Sequence, residues 1–234
     1  MARLRRLYAP TVPQLAQARF ARPLATPSDP TPAAALDQIR DWLVAETRLH
    51  QIAVHGWALL PDQLVLLATS PTPTGLSRVI QGVGRRMATR LTLGRVFEGR
   101  YRSGLIDDAW VVRCLIWAES LPIAGGYVDA AVRWPWSSAQ EHVGLRSDGG
   151  WTTDHPRYWA LGNTPYARQA RYQDSLTSGI GLSDGTRIEQ ALFGQWALGD
   201  DEFVLRLASR STRRVAPAPR GRPRKAPEER AVTN

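Results

Sequence analysis

Two neighbouring apolar runs, joined by the dipeptide Pro61-Asp62, constrain the fold of this chain more than any other feature of its 234 residues. The runs Ile52 to Leu60 and Leu64 to Thr69 are short, apolar and separated by turn formers, which predicts two strands. Proline and aspartate both favour a tight turn, so the two strands are predicted to form a hairpin. An antiparallel sheet is therefore the expected centre of the fold.

Helical patterns lie on both sides of this hairpin in the sequence. Apolar residues recur at helical spacing from Pro32 to His50 and again from Thr74 to Leu91. A third strand is predicted from Val96 to Ile106. A further helix is predicted from Asp107 to Leu121, with Asp107 and Asp108 expected to cap its start. Together these elements predict an α+β fold, with helices packed on one face of an antiparallel sheet.

The two ends of the chain differ from this central part. Proline-rich residues 1–35 predict extended chain and loop, and Gly/Ser/Asp-rich residues 144–154 predict a surface loop. Thr164-Pro165 predicts the start of a helix, because threonine is a good cap and proline suits the first helical position. Short helices are predicted over 184–196 and 200–212. The expected division is a first domain over 1–143, a helical extension over 144–214 and a basic disordered tail over 215–234.

Positive charge is concentrated in two segments of the chain. The formal net charge is +9 at pH 7, and the pI is near 10.7. Arg78 to Arg102 holds seven arginines and one acidic residue, and Val204 to Ala226 holds eight basic and no acidic residues. Such segregation is typical of proteins that bind DNA. An apolar share of 43%, the single Cys114 and the lack of a run of bilayer length predict a folded, cytoplasmic, nucleoid-associated protein with no membrane partner.

One short motif in the tail has a known physical mechanism. Arg220-Gly221-Arg222-Pro223, followed by Arg224 and Lys225, resembles an AT-hook. Glycine and proline keep such a strip narrow and extended, so that both guanidinium groups reach into the minor groove of A·T-rich duplex DNA. The tail is therefore predicted to bind a minor groove.

Several longer motifs occur in a fixed order along residues 1–215. They are Val54-His-Gly-Trp-Ala-Leu-Leu-Pro-Asp-Gln-Leu-Val-Leu-Leu67, Gly84-Arg-Arg86, Phe97-Glu-Gly-Arg-Tyr-Arg-Ser103, Trp134-Pro-Trp-Ser-Ser138, His155-Pro156, Trp159-Ala-Leu-Gly-Asn-Thr-Pro165 and Trp196-Ala-Leu-Gly-Asp200. With these motifs the chain resembles the single-tyrosine HUH transposases, in particular the REP-associated tyrosine transposases. The resemblance implies a ferredoxin-like HUH domain that binds hairpin-forming single-stranded DNA.

The resemblance also implies which positions would carry catalysis. In that family two histidines on alternate residues of one strand hold a divalent metal, a tyrosine attacks the phosphate, and an amide one helical turn later completes the metal shell. The matching positions here are Gln63 and Val65, Trp117, and Leu121. Valine and leucine carry no ligand atom, and the indole of tryptophan has no nucleophilic oxygen. The sequence therefore predicts that no catalytic residue is intact, that no metal is bound and that no cofactor is used.

The remaining polar and aromatic residues are expected to be structural. Helix capping and a solvated helix face are the expected roles of Asp107, Asp108 and Glu119, rather than a metal site. His55 is expected to be a structural histidine with satisfied hydrogen bonds, and Tyr101 to pack on a strand. Core or interdomain contacts are predicted for Trp134, Trp136, Trp159 and Trp196.

The sequence as a whole predicts a DNA-binding protein of the transposase type that does not cleave DNA. Its expected partner is single-stranded hairpin DNA, A·T-rich duplex DNA or both. An active transposase that uses substituted residues, and an interaction protein that does not bind DNA, remain as alternatives, and homodimerisation is left open. The predicted DNA contacts are Arg78, Arg85, Arg86, Arg100, Arg102, Arg220, Arg222, Arg224 and Lys225.

Overall fold

A four-stranded antiparallel sheet lies at the centre of the fold, as the sequence predicts. The computed structural model describes residues 6–91, 94–147 and 149–217. Its strands are β1 (Gln14–Arg19), β2 (Ala53–Leu60), β3 (Gln63–Thr69) and β4 (Arg102–Leu105). Their order across the sheet is β2-β3-β1-β4, and each strand runs antiparallel to its neighbours.

The predicted hairpin forms from β2 and β3. Leu60 lies opposite Gln63, so that Pro61 and Asp62 make the turn. Nearly every residue of both strands is buried. Because alternate residues of a strand point to opposite faces, such burial requires cover on both sides of the sheet.

The prediction of loop for residues 1–35 is wrong over Gln14–Arg19. This segment forms β1 between β3 and β4, with Gln17 opposite both Val65 and Arg102. The alanines Ala16 and Ala18 have weak strand propensity, and prolines are frequent nearby. Pairing with two neighbouring strands, rather than local propensity, determines the structure of this segment.

The third predicted strand is real but shorter than expected. Only Arg102–Leu105 pairs as β4, whereas the prediction began at Val96. The preceding segment touches the sheet through one isolated bridge between Phe97 and Phe20. The segment ends at Tyr101, which is buried and directly precedes β4.

One face of the sheet is covered by the two helices predicted from apolar spacing. These are α1 (Ala33–Leu49) and α2 (Gly75–Arg90), which also pack against each other. Their apolar sides join β-strand residues such as Leu66 in one continuous core. The predicted packing of helices on one face of an antiparallel sheet is confirmed for this pair, and helices that the prediction did not place there also cover the other face.

Further helices cover the opposite face, which we call the α3 face. After a 3₁₀ turn at Asp108–Trp110, α3 (Val111–Ala124) packs on β2 and β3. The shared core includes Leu15, Val65 and Leu67. Four more helices contribute to this core: α4 (Ala139–His142), α5 (Pro156–Trp159), α6 (Pro165–Ser178) and α7 (Leu182–Gly194). The last helix, α8 (Asp201–Ala208), packs instead in a separate cluster with Leu7, Leu105 and Val215.

Helix starts follow the predicted chemistry at one place and not at another. The Thr164 hydroxyl accepts a hydrogen bond from the amide of Ala167, which confirms the predicted cap of α6. Asp107 is the N-cap residue of the 3₁₀ turn before α3 and Asp108 lies in its first turn, as predicted, but the Asp107 side chain makes no cap hydrogen bond. Asp108 lies near two basic side chains, 3.7 Å from His155 and 3.8 Å from Arg157.

Across the described ranges, none of the helices has the length and apolar character needed to cross a membrane.

Candidate nucleic-acid interface

The positions that the resemblance assigns to catalysis meet on the α3 face, in an apolar environment. Val65 of β3 is fully buried, and Trp117 of α3 is 8% exposed; both belong to the same core cluster. Leu121 packs against this cluster from the next turn of α3. The fold therefore brings these positions together, but with apolar side chains filling the space between strand and helix.

Gln63 is the polar member of this set, and its side chain already has a partner. The side-chain amide of Gln17 donates to Gln63 Oε1 at 2.7 Å. The other positions offer no ligand atom, since Val65 is aliphatic and the Trp117 indole can only donate. The residues at these positions do not fit a divalent metal. Elsewhere in residues 6–91, 94–147 and 149–217, no group of three His, Cys, Asp or Glu side chains is placed to hold a metal ion.

Beyond Gln63 the α3 face opens into a basic pocket. Arg19, Gln17 and Arg102 follow on the same face, because residues opposite one another in an antiparallel sheet share a face. The pocket has a volume of about 300 Å³. Its lining consists of Gln17, Arg19, Glu98, Gly99, Arg100 and Arg102.

A second pocket adjoins the first around the edge of the sheet. The two share Gly99 and Arg100, and the second has a volume of about 490 Å³. It reaches α2 at Ser77, whose hydroxyl lies 2.9 Å from that of Tyr101. The guanidinium of Arg6 stacks over the Tyr101 ring at 3.5 Å. Tyr101 is thus a packed structural residue beside β4, in agreement with the prediction.

The predicted arginines of α2 fall into two groups. Arg78 and Arg85 are exposed and make no ion pair with any residue that the structure describes. Arg86 faces α1, where it lies 3.2 Å from the buried carboxylate of Glu46. We name the three arginines of the first pocket and the two exposed arginines of α2 the arginine surface: Arg19, Arg100, Arg102, Arg78 and Arg85.

Glu119 is fully buried, so the prediction of a solvated helix face is wrong. Its Oε1 accepts hydrogen bonds from Ser138 Oγ and His142 Nδ1, both at 2.6 Å. Its Oε2 accepts from the Tyr172 hydroxyl at 2.7 Å. Burial acts to lower the pKa of His142, but the charge of Glu119 and its hydrogen bond outweigh that effect and raise the pKa. Glu119 thereby links α3 to α4 and α6; we call these four residues the Glu119 network.

His55 is a structural histidine, as predicted. Its Nδ1 lies 2.8 Å from the carbonyl oxygen of Thr153, and its Nε2 lies 2.8 Å from the Thr69 hydroxyl. Nδ1–H therefore donates, and Nε2 of the neutral ring accepts. Burial lowers the pKa of His55 to about 4. The ring of His155 lies 5.0 Å away, a proximity that sequence spacing does not reveal.

The predicted burial of the tryptophans is correct for two of them. Trp134 and Trp136 are buried in the core beneath α1 and α2. Trp196 is half-buried. The prediction is wrong for Trp159, which is 54% exposed and carries the Arg168 guanidinium on its ring at 3.8 Å.

A comparison with solved structures finds a similar fold. The matching structure is described as a REP-associated tyrosine transposase bound to a REP hairpin, with a TM-score of 0.53 and 16% sequence identity. The match covers 63% of this chain and 89% of that chain. The fold is transposase-like. No protein-family model matches the sequence, and no curated protein sequence matches it.

Within this transposase-like fold, sequence reasoning missed Gln17 and Arg19. Both lie on β1, which was predicted as loop. The alternation of Leu15, Gln17 and Arg19 with the two alanines between them was the available signal, since it has the period of a strand. The predicted minor-groove residues Arg220, Arg222, Arg224 and Lys225 lie outside the described residues.

Proposed function

We propose that this chain is a DNA-binding protein of the REP-associated tyrosine transposase type that has lost tyrosine-mediated cleavage. It binds a DNA hairpin through the arginine surface. The observation that carries this proposal is the open basic pocket on the α3 face, which lies beside the apolar residues at the positions that the resemblance assigns to catalysis. Arg100 and Arg102 are the central phosphate contacts.

Charge and shape both support DNA as the partner. Arg19, Arg100 and Arg102 line one pocket. A guanidinium group can bind a phosphate through two parallel hydrogen bonds, so these side chains suit a DNA backbone. Arg78 and Arg85 extend the positive surface along α2. The similar solved structure contains a DNA hairpin, which makes a hairpin the first DNA to test.

The loss of cleavage follows from the chemistry of the catalytic positions. Tyrosine attack on phosphorus requires a phenolic oxygen, and the Trp117 indole offers only an N–H donor. Val65 is fully buried and has no lone pair for a metal. We therefore assign this protein a binding role without strand transfer.

Removing the two central arginines tests the binding surface. We expect Arg100→Gln with Arg102→Gln to weaken binding of a single-stranded hairpin about tenfold or more, because charge-assisted contacts to phosphate are lost. The slope of log affinity against log salt concentration should fall by about one to two. Fluorescence anisotropy of a labelled hairpin across a salt series measures both quantities.

A matched control removes the same charge elsewhere. Arg48 and Arg133 are exposed arginines outside the arginine surface. The variant Arg48→Gln with Arg133→Gln should bind the hairpin almost as tightly as the unmodified protein. Equal losses in the two double variants would show that only net charge matters, and would contradict the proposed interface.

Two further assays separate the remaining parts of the proposal. Arg220→Ala with Arg222→Ala should weaken binding to A·T-rich duplex DNA more than binding to the hairpin, if the tail acts in a minor groove. Incubation of the protein with labelled hairpin and magnesium or manganese should give no covalent protein–DNA adduct. An adduct would contradict the assigned loss of cleavage.

A further inference from the structure

A large aromatic side chain stands in solvent directly beside the arginine surface. Phe193, in the last turn of α7, is 71% exposed. The guanidinium carbon of Arg102 lies over its ring, 4.5 Å from the centroid. Single exposed apolar residues are common on protein surfaces, and what distinguishes Phe193 is its contact with an arginine of the basic pocket.

The backbone holds Phe193 at this position firmly. α7 packs against β4, and Gly104 of β4 approaches the carbonyl oxygen of Trp196 so closely that a Cβ atom would collide with it. The amide of Leu198 then donates to the carbonyl of Leu105 at 2.8 Å. The end of α7 is therefore fixed to the edge of the sheet by contacts that do not involve the Phe193 side chain.

We propose that Phe193 is a stacking platform for an unpaired nucleobase of a DNA strand whose phosphate is bound by Arg100 and Arg102. This inference rests on the proposed function, and it adds that the DNA bound at this site is single-stranded. The Arg102 guanidinium lies over the Phe193 ring, and the high exposure of the side chain leaves ring surface accessible to a base. Within the described residues, no hydrogen bond or ion pair involves the guanidinium N–H groups of Arg102, so they can bind a phosphate while the guanidinium contacts the ring.

The geometry favours a single strand over a duplex at this place. Within a duplex each base is already stacked between its neighbours, so its face is closed to a protein ring. An unpaired base offers its whole face, and stacking on an aromatic side chain is tolerant of sequence. The combination of a basic pocket with an adjoining aromatic ring is the arrangement that single-stranded DNA binding requires.

Substitution at Phe193 tests the platform without disturbing the fold, because the side chain is exposed. We expect Phe193→Leu to weaken binding of a single-stranded oligonucleotide about five- to a hundredfold, which corresponds to about 1–3 kcal/mol. Binding of the fully paired duplex of the same sequence should stay unchanged. Phe193→Trp should bind the single strand at least as tightly as the unmodified protein, because the indole offers a larger stacking face.

Tyr166 provides a matched control. It is an exposed aromatic residue on α6, 85% accessible, and does not line either basic pocket. Tyr166→Leu should leave the single-strand affinity unchanged. A loss equal to that of Phe193→Leu would indicate a general effect of surface aromatics and would overturn the proposal.

The outcomes distinguish this inference from the proposed function. If Phe193→Leu binds the single strand normally while Arg100→Gln with Arg102→Gln does not, the platform is wrong and the DNA-binding surface stands. If Phe193→Leu weakens duplex and single strand equally, or if Phe193→Trp loses as much as Phe193→Leu, stacking is excluded. If the unmodified protein binds no DNA, the proposed function and this inference both fail.

Discussion

Polar groups serve opposite purposes in the Glu119 network and on the arginine surface. Both carboxylate oxygens of Glu119 are buried, and each accepts hydrogen bonds from neighbouring side chains. On the arginine surface Arg78, Arg85 and Arg102 are exposed and have no acidic partner among the residues described. The first region is closed and internally satisfied, whereas the second is open and carries excess positive charge.

The contrast separates stability from binding in this molecule. A buried charge destabilises a protein unless partners surround it, so the Glu119 network must be complete for the fold to form. An exposed guanidinium group stays hydrated in the folded protein, so it contributes little to the free energy of unfolding. Substitutions in the Glu119 network should therefore reduce stability, and substitutions on the arginine surface should reduce DNA affinity.

The largest effect is expected in the Glu119 network. Glu119→Ala leaves the buried His142 and Tyr172 side chains without their acceptor, and it removes one of the two acceptors of Ser138. We expect the free energy of unfolding to fall by about 3–5 kcal/mol, as for other buried pairs that lose one partner. Chemical denaturation monitored by tryptophan fluorescence measures this change.

DNA affinity should respond differently to the same substitution. Measured on the folded fraction at low temperature, the affinity of Glu119→Ala for the hairpin should remain within about twofold of the unmodified protein, a difference well below 1 kcal/mol. A large loss of affinity in a folded Glu119→Ala protein would break the separation between the two regions.

Acidification should reduce stability through His55. The pKa of its folded state is about 4, below the value of about 6.5 expected in the unfolded chain. The unfolded state therefore binds a proton first as the pH falls. We expect the free energy of unfolding to decrease by about 3 kcal/mol between pH 6.5 and pH 4, and His155 acts in the same direction because burial also lowers its pKa.

His142 does not cancel this decrease. Its pKa is raised in the folded state, so its stabilising contribution is complete below the unfolded pKa and is lost only as the pH rises through the folded value. The variant His55→Gln should thus show a flatter stability profile in acid than the unmodified protein. Identical profiles for the two proteins would contradict the assigned role of His55.

The smallest effect on stability is expected on the open surface. Arg19 lies 3.3 Å from Asp62 in an exposed pair, so Arg19→Gln should change the free energy of unfolding by less than about 1 kcal/mol. The same variant should weaken hairpin binding severalfold, because Arg19 lines the basic pocket. If Arg19→Gln lowers stability strongly but binds the hairpin normally, Arg19 is a structural residue and not a DNA contact.

The local pattern of apolar residues predicted those elements whose buried positions match that pattern. The hairpin of β2 and β3 and the helices α1 and α2 follow directly from strand-like runs and helical spacing. The alternation along Leu15–Arg19 was a weak local signal for β1, because its alanines favour no strand by themselves. The strand forms through pairing with β3 and β4. Contacts distant in sequence decided its structure.

Part of the candidate interface was predictable, because charge clusters are visible in the sequence whereas contacts between distant residues are not. Arg100 and Arg102 lie in a charge cluster that the sequence displays, and the structure places both at one pocket. Glu119 was misassigned because its partners lie far along the chain, Tyr172 being 53 residues away. Phe193 gave no signal, because exposure of an apolar residue within a helical pattern becomes visible only when the packing is known.

The Glu119 network has a practical consequence for anyone who wishes to shorten this protein. The predicted boundary at residue 143 falls between His142 and Tyr172, which bind the two oxygens of the same carboxylate. A fragment ending there would keep the acid and lose one of its donors, opening the base of α3 to water. The C-terminal helices are in this sense part of the scaffold, and a trimmed version intended for crystallisation or fusion should retain them at least through α6.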